Sequence, residues 1–256
     1  MKKIAVYIFV NLLFLLNVQG QNLYVSYIER PAYYLGASNT TIRQTLIVED
    51  SLNFYSESPV STNAISVPRS TITGNAKKFF VKNYNDGILY YKTSIPFSRK
   101  DYMVADSLHP MKWERLKETK VILNYKCGAA QTTFRGRTYK AYFTEKIPVS
   151  TGPWKFGGLP GLILEVVSKD DDAELVWTVE KIIKNPKGLK DYRVEYKQYE
   201  FISWQEYTEK YKDVMTKKLA QLKADVASSP GEKGYIRITN PEIIDKRSDT
   251  GKGLEY

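Results

Sequence analysis

Short runs of β-branched and aromatic residues, separated by turn residues, follow one another from Leu23 to about Ile183. Such runs are typical of strands, because branched and aromatic side chains suit a pleated surface. The runs are Leu23–Ile28, Gln44–Tyr55, Phe79–Tyr84, Ile88–Thr93, Val121–Lys126, Thr138–Thr144, Leu162–Val167 and Leu175–Ile183. Their order predicts a curved antiparallel meander sheet, with a half-barrel as the more strongly curved alternative.

Turn residues between these runs predict how the strands connect. Asn85-Asp86-Gly87 separates two aromatic runs and predicts a hairpin with a type I′ turn, which needs positive φ at its centre. Arg135-Gly136-Arg137 and the polar run 169–172 predict two further turns. In Leu159-Pro160-Gly161-Leu162, proline at the second position and glycine at the third predict a type II turn with positive φ at Gly161.

The run Leu162–Val167 is apolar on both faces of a regular strand. Strict alternation gives two sets of side chains, which are Leu162, Leu164 and Val166 on one face and Ile163, Glu165 and Val167 on the other. A strand that is apolar on both faces is expected at the centre of the sheet, with a layer on each side. The late helix would cover one side, and a curved sheet would leave a groove on the other.

One long helix is predicted near the end of the chain. Ser203 and Glu206 form an S-x-x-E capping box, which marks a helix start. Apolar residues then recur at spacings of three and four, at Trp204, Tyr207, Tyr211, Val214, Met215, Leu219, Leu222 and Val226. Ser228-Ser229-Pro230-Gly231 ends the pattern. The fold class expected is therefore α+β, mainly β, with an amphipathic C-terminal helix packed on the sheet.

The first residues have the layout of a signal peptide. Lys2 and Lys3 precede an apolar run from Ile4 to Val18, and small residues then suit cleavage after Gly20. We therefore expect a signal peptide at residues 1–20 and one β-rich domain at 21–256. The protein would be exported to the periplasm, the outer membrane or the medium. No later run is apolar enough to cross a bilayer.

Composition narrows the chemistry further. Cleavage would remove two lysines and no acid from the net charge of +10, which leaves +8. Export argues against nucleic acid as the partner. Because the lysines are spread along the chain, they are interpreted as a solvated surface in preference to a dedicated polyanion site. With one Cys and one His in the chain, a zinc site lacks ligands and a Ser or Cys nucleophile lacks the usual base. We expect no cofactor and no metal, Cys127 as a small buried side chain, and His109 on the surface.

The densest motif block lies between Val121 and Val166, and it resembles the GLPGLI family of exported proteins, known mainly from Bacteroidota. The residues that carry the resemblance are Gly158-Leu159-Pro160-Gly161-Leu162-Ile163, Gly152-Pro153, Gly136-Arg137, Tyr139, Ala141, Ile147-Pro148 and Cys127. The resemblance implies an exported protein. It implies no biochemical activity, because none is established for that family.

Five residues of this block are candidates for binding a ligand or partner, namely Arg135, Arg137, Trp154, Phe156 and Glu165. The two arginines could hold a carboxylate or phosphate, or could tie the neighbouring loop. The two aromatic rings could form a platform for a ligand, or could close one end of the sheet.

Three functions follow as alternatives. The first is a non-enzymatic binding or carrier module for an apolar or amphipathic ligand or an envelope protein. The second is an enzyme acting on envelope glycans with carboxylates, for which Glu145, Glu165 and Asp170–Asp172 are the candidates. The third is a structural accessory of an outer-membrane assembly, which would need an exposed apolar patch of several hundred Å².

Overall fold

The computed structural model describes residues 22–33, 41–57, 79–98, 100–170, 173–186, 196–228, 235–236, 241–244 and 254–255. The predicted signal peptide lies outside these residues. Within them the chain is mainly β, with one long helix near its end.

The strands and the helix have the following bounds. The first half of the sheet contains β1 (Leu23–Tyr33), β2 (Ile42–Glu49), β3 (Leu52–Glu57), β4 (Phe79–Asn83), β5 (Ile88–Ser94) and β6 (Asp101–Ser107). The second half contains β7 (Glu114–Ile122), β8 (Tyr125–Phe134), β9 (Arg137–Thr144), β10 (Leu162–Lys169) and β11 (Ala173–Lys184). After them come β12 (Ile202–Ser203), α1 (Trp204–Ser228), β13 (Tyr235–Ile236) and β14 (Leu254–Glu255).

Two antiparallel meanders join into one open sheet. Its strand order is β12-β6-β5-β4-β3-β2-β1-β11-β10-β9-β8-β7. The meanders meet where β1 pairs with β11, so that the first long strand and the last one lie side by side at the centre. The predicted meander is confirmed, and β6 is an element that the sequence patterns did not indicate.

The sheet is strongly curved, as contacts across its inner face require. β4 and β9 are six positions apart in the strand order, which corresponds to about 29 Å in a flat sheet. Yet Phe156 contacts both strands, because its carbonyl accepts a 2.6 Å hydrogen bond from Lys82 of β4. Its ring centroid also lies 5.0 Å from that of Tyr139 of β9. One residue can reach both strands only if the sheet curls around it, so the inner face is concave.

The helix begins and packs as its sequence predicts. The Glu206 carboxylate accepts a 2.8 Å hydrogen bond from the Ser203 main-chain N–H, and Ser203 Oγ accepts one of 3.1 Å from the Glu206 N–H. This is the reciprocal pattern of a capping box. The buried stripe of α1 consists of Tyr207, Tyr211, Met215 and Leu219. Tyr207 packs edge-on against Tyr102 of β6 and donates a hydrogen bond to the Ser94 carbonyl, which docks the helix on the inner face.

One of the predicted hairpin turns has a different geometry. Positive φ at both central residues, as in a type I′ turn, occurs at Leu123-Asn124, with +47° and +64°, and at Arg135-Gly136, with +46° and +86°. The connection between β4 and β5 is instead a four-residue turn, and Gly87 is its one residue with positive φ. Asn83 and Asp86 brace it with a 2.8 Å side-chain hydrogen bond. Asn83 Oδ1 also accepts a 3.0 Å hydrogen bond from the Asn85 N–H, so these side chains stabilise the longer connection.

Three of the predicted strands also need correction. The run 44–55 is two strands joined at Asp50-Ser51, and the run 121–126 contains a turn at Leu123-Asn124. In β10, the pairing register shifts between Ile163 and Glu165. This irregularity breaks the strict alternation expected there, and three successive side chains, at 162, 163 and 164, are fully buried.

Candidate ligand-binding site

The loop 150–161 fills the interior of the curved sheet. Trp154 and Phe156 are buried, and both rings pack against Trp177 of β11, with centroids 6.0 and 5.4 Å away. Tyr139 of β9 completes the cluster. The contacts therefore support the interpretation that Trp154 and Phe156 close the interior of the sheet, and the loop 150–161 that carries them is called the plug.

The glycines of this loop are needed for close packing. The φ angle of Gly161 is not positive, so the predicted type II turn is wrong. Instead, the Gly161 N–H donates a 2.8 Å hydrogen bond to the Leu159 carbonyl, which makes a γ-turn around Pro160. A Cβ at Gly161 would lie 2.2 Å from the carbonyl oxygen of Thr144, and one at Gly152 would lie 2.7 Å from Ile163. The backbone of the loop thus presses directly on β9 and β10.

A buried lysine anchors the loop to the opposite half of the sheet. Lys82 is fully buried and donates hydrogen bonds to the carbonyls of Gly152 and Phe156, at 2.7 and 2.6 Å, and to Thr151 Oγ1 at 3.3 Å. These three acceptors match the three donors of an ammonium group. Burial lowers the pKa of Lys82 well below its usual value. Lys82 therefore holds the plug in place.

His109 also belongs to the packing of the loop, which corrects its predicted surface position. Its Nε2 lies 2.9 Å from the Tyr84 hydroxyl, and its ring occupies the space that a Cβ at Gly157 would need. Burial, together with the nearby charge of Lys82, lowers the pKa of His109 from 6.5 to about 3. The imidazole is therefore neutral in the folded protein at ordinary pH.

Beside the plug lies a buried cluster of two cations and two anions, formed by Asp106, Arg135, Lys155 and Glu242. Arg135 donates two hydrogen bonds of 2.8 Å to the Asp106 carboxylate and forms an ion pair with Glu242. Lys155 Nζ lies 2.8 Å from Glu242 and 3.7 Å from Asp106. Each carboxylate contacts both cations, so the four charges balance.

The balance of charges offsets the cost of burying this cluster. Lys155 is 2% exposed, and burial lowers its pKa although the two carboxylates act in the opposite direction. Burial also disfavours the charge of Arg135, but Glu242 and Asp106 outweigh it and raise the pKa of the guanidinium. The positive charges of Lys155 and Arg135 are therefore stabilised in this buried site by the carboxylates of Glu242 and Asp106.

Aromatic rings enclose the two cations. The Arg135 guanidinium lies 3.4 Å from the ring centroid of Trp204, the first residue of α1. Lys155 Nζ lies 3.9 Å from the centroid of Tyr91 and 4.8 Å from that of Trp204. Ring faces attract cations, most strongly where water is excluded. The cluster thus ties together the plug, the sheet and the start of the helix.

A cavity of about 230 Å³ opens next to the cluster, between the concave face and α1. Its apolar wall includes Ile42, Phe80, Trp154 and Ile244 and the rings of Tyr55, Tyr91, Tyr207 and Tyr211, and its polar wall includes Glu29, Gln44, Lys92, Lys155 and Glu242. Among the described residues, the buried hydroxyl of Tyr91 has no hydrogen-bond partner. The cavity therefore offers ring faces together with charged groups, a lining suited to an amphipathic molecule.

Three of the five candidate binding residues from the sequence lie in this region, and two lie elsewhere in the sheet. Arg135, Trp154 and Phe156 lie at the plug and its charge cluster. Arg137 is 3% exposed and pairs with Asp170, the residue that follows β10. Glu165 forms a 2.6 Å ion pair with Lys120 of β7, and neither it nor Arg137 lines the cavity.

The three described carboxylates that were considered for catalysis each pair with a basic side chain, and Asp171 and Asp172 lie outside the described residues. Glu145 pairs with Arg115, Glu165 with Lys120 and Asp170 with Arg137. Two described acids, Asp106 and Glu242, do lie together at Lys155, and the sequence patterns did not indicate them. Lys155 was missed as well, although a lysine between two aromatic residues expected to be buried is a signal that acidic partners must exist.

Cys127 is buried, as the sequence predicts. Its thiol donates a weak hydrogen bond to the Tyr125 carbonyl at 3.4 Å, and burial raises its pKa to about 11. A thiol with so high a pKa is a poor nucleophile at neutral pH.

Residues 36–206, more than half of the chain, match the sequence model of the family described as "N-glycanase peptide, N-terminal domain". The chain belongs to this N-glycanase N-terminal-domain family. The match includes the plug loop, Asp106, Arg135 and Lys155, but not the segment that carries Glu242. No curated protein is significantly similar to the chain in sequence.

The solved structures that resemble this family member include the following three. PNGF-II in space group C2 has 14% sequence identity and a TM-score of 0.48, with 75% of this chain and 32% of that chain covered. The same protein in space group P21 has 13% identity and a TM-score of 0.49, with 74% and 32% covered. A LolA superfamily protein from Nitrosomonas europaea has 10% identity and a TM-score of 0.31, with 70% and 92% covered.

The chain thus spans about a third of the length of the PNGF-II structures that it matches. In the part of the chain that the structure describes, no helix has the length and apolar character needed to span a membrane.

Proposed function

We propose that this chain is a binding module that holds a small amphipathic ligand between the concave face of the sheet and α1. The observation that carries the proposal is the cavity of about 230 Å³, which combines aromatic walls with charged and amide groups. A purely apolar ligand would leave those polar groups without water, which is costly. An amphipathic molecule can satisfy both walls at once.

The size of the cavity limits the ligand. Pockets for drug-sized molecules measure about 300–1,000 Å³, so a cavity of about 230 Å³ suits a small molecule or one end of a longer one. Tyrosine and tryptophan provide rigid contact area with a polar handle, which suits this task. Membership in a family named for the N-terminal domain of an N-glycanase is compatible with an accessory, non-enzymatic role.

Binding of two probes tests the proposal. Octanoate and octyl glucoside, both below their micellar concentrations, are titrated by calorimetry into the wild-type protein, Thr93→Trp and Thr138→Trp. Thr93 lines the cavity, whereas Thr138 is exposed on β9 and serves as the control. We expect saturable binding of at least one probe by the wild type and the control, and binding at least about tenfold weaker in Thr93→Trp, where the indole fills the cavity. Equal binding by both variants, or no saturable binding of either probe, would contradict the proposal.

We further propose that the protein is exported and is of the GLPGLI type. The support is the signal-peptide pattern of residues 1–20 and the motif Gly158–Ile163. Cell fractionation with an antibody, combined with N-terminal sequencing that begins at Gln21, would support export. Detection of the intact chain in the cytoplasm alone would exclude it.

A carboxylate enzyme is the second candidate, because Asp106 and Glu242 lie together at the cavity. Both acids are bound by two cations, so neither is available to transfer a proton or attack a substrate in this arrangement. The third alternative, docking by an exposed apolar patch, has weaker support. Among the described residues, the exposed large hydrophobic side chains are Phe97, Val121 and Leu123.

A further inference from the structure

Glu242 reaches the charge cluster from a segment that belongs to no strand or helix. Residues 241–244 lie across the Arg135-Gly136 turn, where the Ile243 N–H bonds the Arg135 carbonyl at 2.9 Å. The Tyr139 hydroxyl donates a hydrogen bond to the Pro241 carbonyl. Ile243 packs so tightly on Gly136 that a Cβ there would lie 2.8 Å from the isoleucine. The segment therefore packs against the turn between β8 and β9 and covers the cluster there.

The other three members of the cluster come from the sheet and the plug. Without Glu242, the charges of Arg135 and Lys155 would face Asp106 alone. This would leave one excess positive charge in a site where Lys155 is 2% exposed. A buried charge without a partner is strongly unfavourable. The site therefore needs one monovalent anion.

We propose that Arg135 and Lys155 form a carboxylate-binding site, which Glu242 occupies within the chain and which the carboxylate of a small amphipathic ligand takes when segment 241–244 moves aside. The inference rests on the proposed binding function for the apolar part of the ligand, and it adds the chemical class of the polar part. A monocarboxylate restores the charge balance, whereas a phosphate dianion exceeds it.

The site and the cavity are continuous. Lys155 and Glu242 belong to the cluster and also line the cavity, so a carboxylate in place of that of Glu242 would have its apolar body against the cavity rings. The Tyr91 hydroxyl, buried beside Lys155 and unpartnered among the described residues, is a further donor for such a ligand.

Chemical rescue of Glu242→Ala in the full chain tests the inference. The variant removes the carboxylate and leaves room for a small anion. We expect its melting temperature to fall by about 10 °C, and sodium propionate to restore at least about half of this loss in a saturable manner. Sodium chloride at the same ionic strength and neutral propionamide should have no such effect. If the variant is unfolded without ligand, the same measurement becomes the recovery of its circular dichroism signal with propionate.

Glu165→Ala is the matched control. It also removes an ion-paired carboxylate, but the remaining Lys120 is 45% exposed and reaches water, so propionate should not stabilise this variant. Equal responses to propionate and chloride by Glu242→Ala, whether folded or unfolded, would overturn the inference. So would an equal stabilisation of Glu165→Ala.

Octanoate separates this inference from the proposed function. If the cavity holds the apolar body, octanoate should rescue Glu242→Ala at a concentration at least about tenfold lower than propionate, because it buries more CH₂ groups. Rescue by both at the same concentration would support the carboxylate site and contradict the cavity as the ligand site. Saturable binding of octyl glucoside without any carboxylate rescue would leave the proposed function standing and overturn the carboxylate site.

Discussion

Acidification should destabilise this protein through one residue, His109. Its pKa is lowered from 6.5 to about 3 by burial and by the charge of Lys82, so between these values the unfolded chain binds a proton that the folded protein does not. The contribution of His109 to the free energy of unfolding is therefore fully present above its pKa in the unfolded chain, 6.5. It is lost as the pH falls from 6.5 toward the pKa of the folded protein, about 3. Each pH unit within this window corresponds to about 1.4 kcal/mol.

The expected magnitude follows from these two pKa values. Between pH 7 and pH 5 the free energy of unfolding should fall by about 2 kcal/mol because of His109, and over the whole window by about 5 kcal/mol. His109 is the sole histidine of the chain, and carboxyl groups, with ordinary pKa values near 4, contribute less above pH 5.

Urea unfolding at pH 7, 6 and 5 measures this loss in the wild type and in His109→Gln. The glutamine keeps a polar group near the Tyr84 hydroxyl, which lies 2.9 Å from the imidazole, but it does not titrate. The wild type should lose about 2 kcal/mol more than the variant. Equal losses in the two proteins, or an imidazole that titrates near 6.5 in the folded protein by NMR, would refute the reasoning.

Three further predictions concern the plug and the helix. Gly161→Ala should lower the free energy of unfolding in urea by about 3 kcal/mol or more, because the new Cβ would lie 2.2 Å from a carbonyl oxygen. Gly87→Ala is the control and should cost about 1 kcal/mol, because Gly87 has open space around it and a φ of +69°; equal costs for the two variants would contradict the packing argument. Lys82→Met should cost about 2–4 kcal/mol, since three buried oxygens lose their donor, and an unchanged stability would mean that water replaces it. Ser203→Ala should lower stability by about 1 kcal/mol through loss of the helix cap, and an effect near zero would mean that the cap is dispensable.

Local sequence patterns were sufficient to predict those elements that are stabilised by residues close together in the sequence. The capping box at Ser203 and Glu206 and the apolar stripe behind it predicted α1, because both depend on residues three or four positions apart. The meander was predictable for the same reason, since strands joined by short turns pair with their neighbours. The turn at Gly161 was not, because Gly161 packs directly against the backbone of Thr144, which is 17 residues away in the sequence.

The candidate site was predictable only in part. Trp154 and Phe156 stood out because aromatic rings among glycines and prolines must be buried somewhere. The acidic partners of Lys155 could not be identified from the sequence, because Asp106 and Glu242 are separated from it by 49 and 87 residues. Nothing in the neighbourhood of either acid in the sequence distinguishes it from a solvated surface residue.

The sequence by itself thus determined the class of fold and the position of the helix, because short-range periodicity and turn chemistry act within a few residues. Tertiary structure alone decided that β1 pairs with β11, that the sheet curls until Lys82 and Tyr139 reach the same loop residue, and that four charges meet beside a cavity. These features depend on contacts between distant segments, which are stabilised by burial and by charge balance in the assembled fold. Such contacts produce no periodic pattern in the sequence.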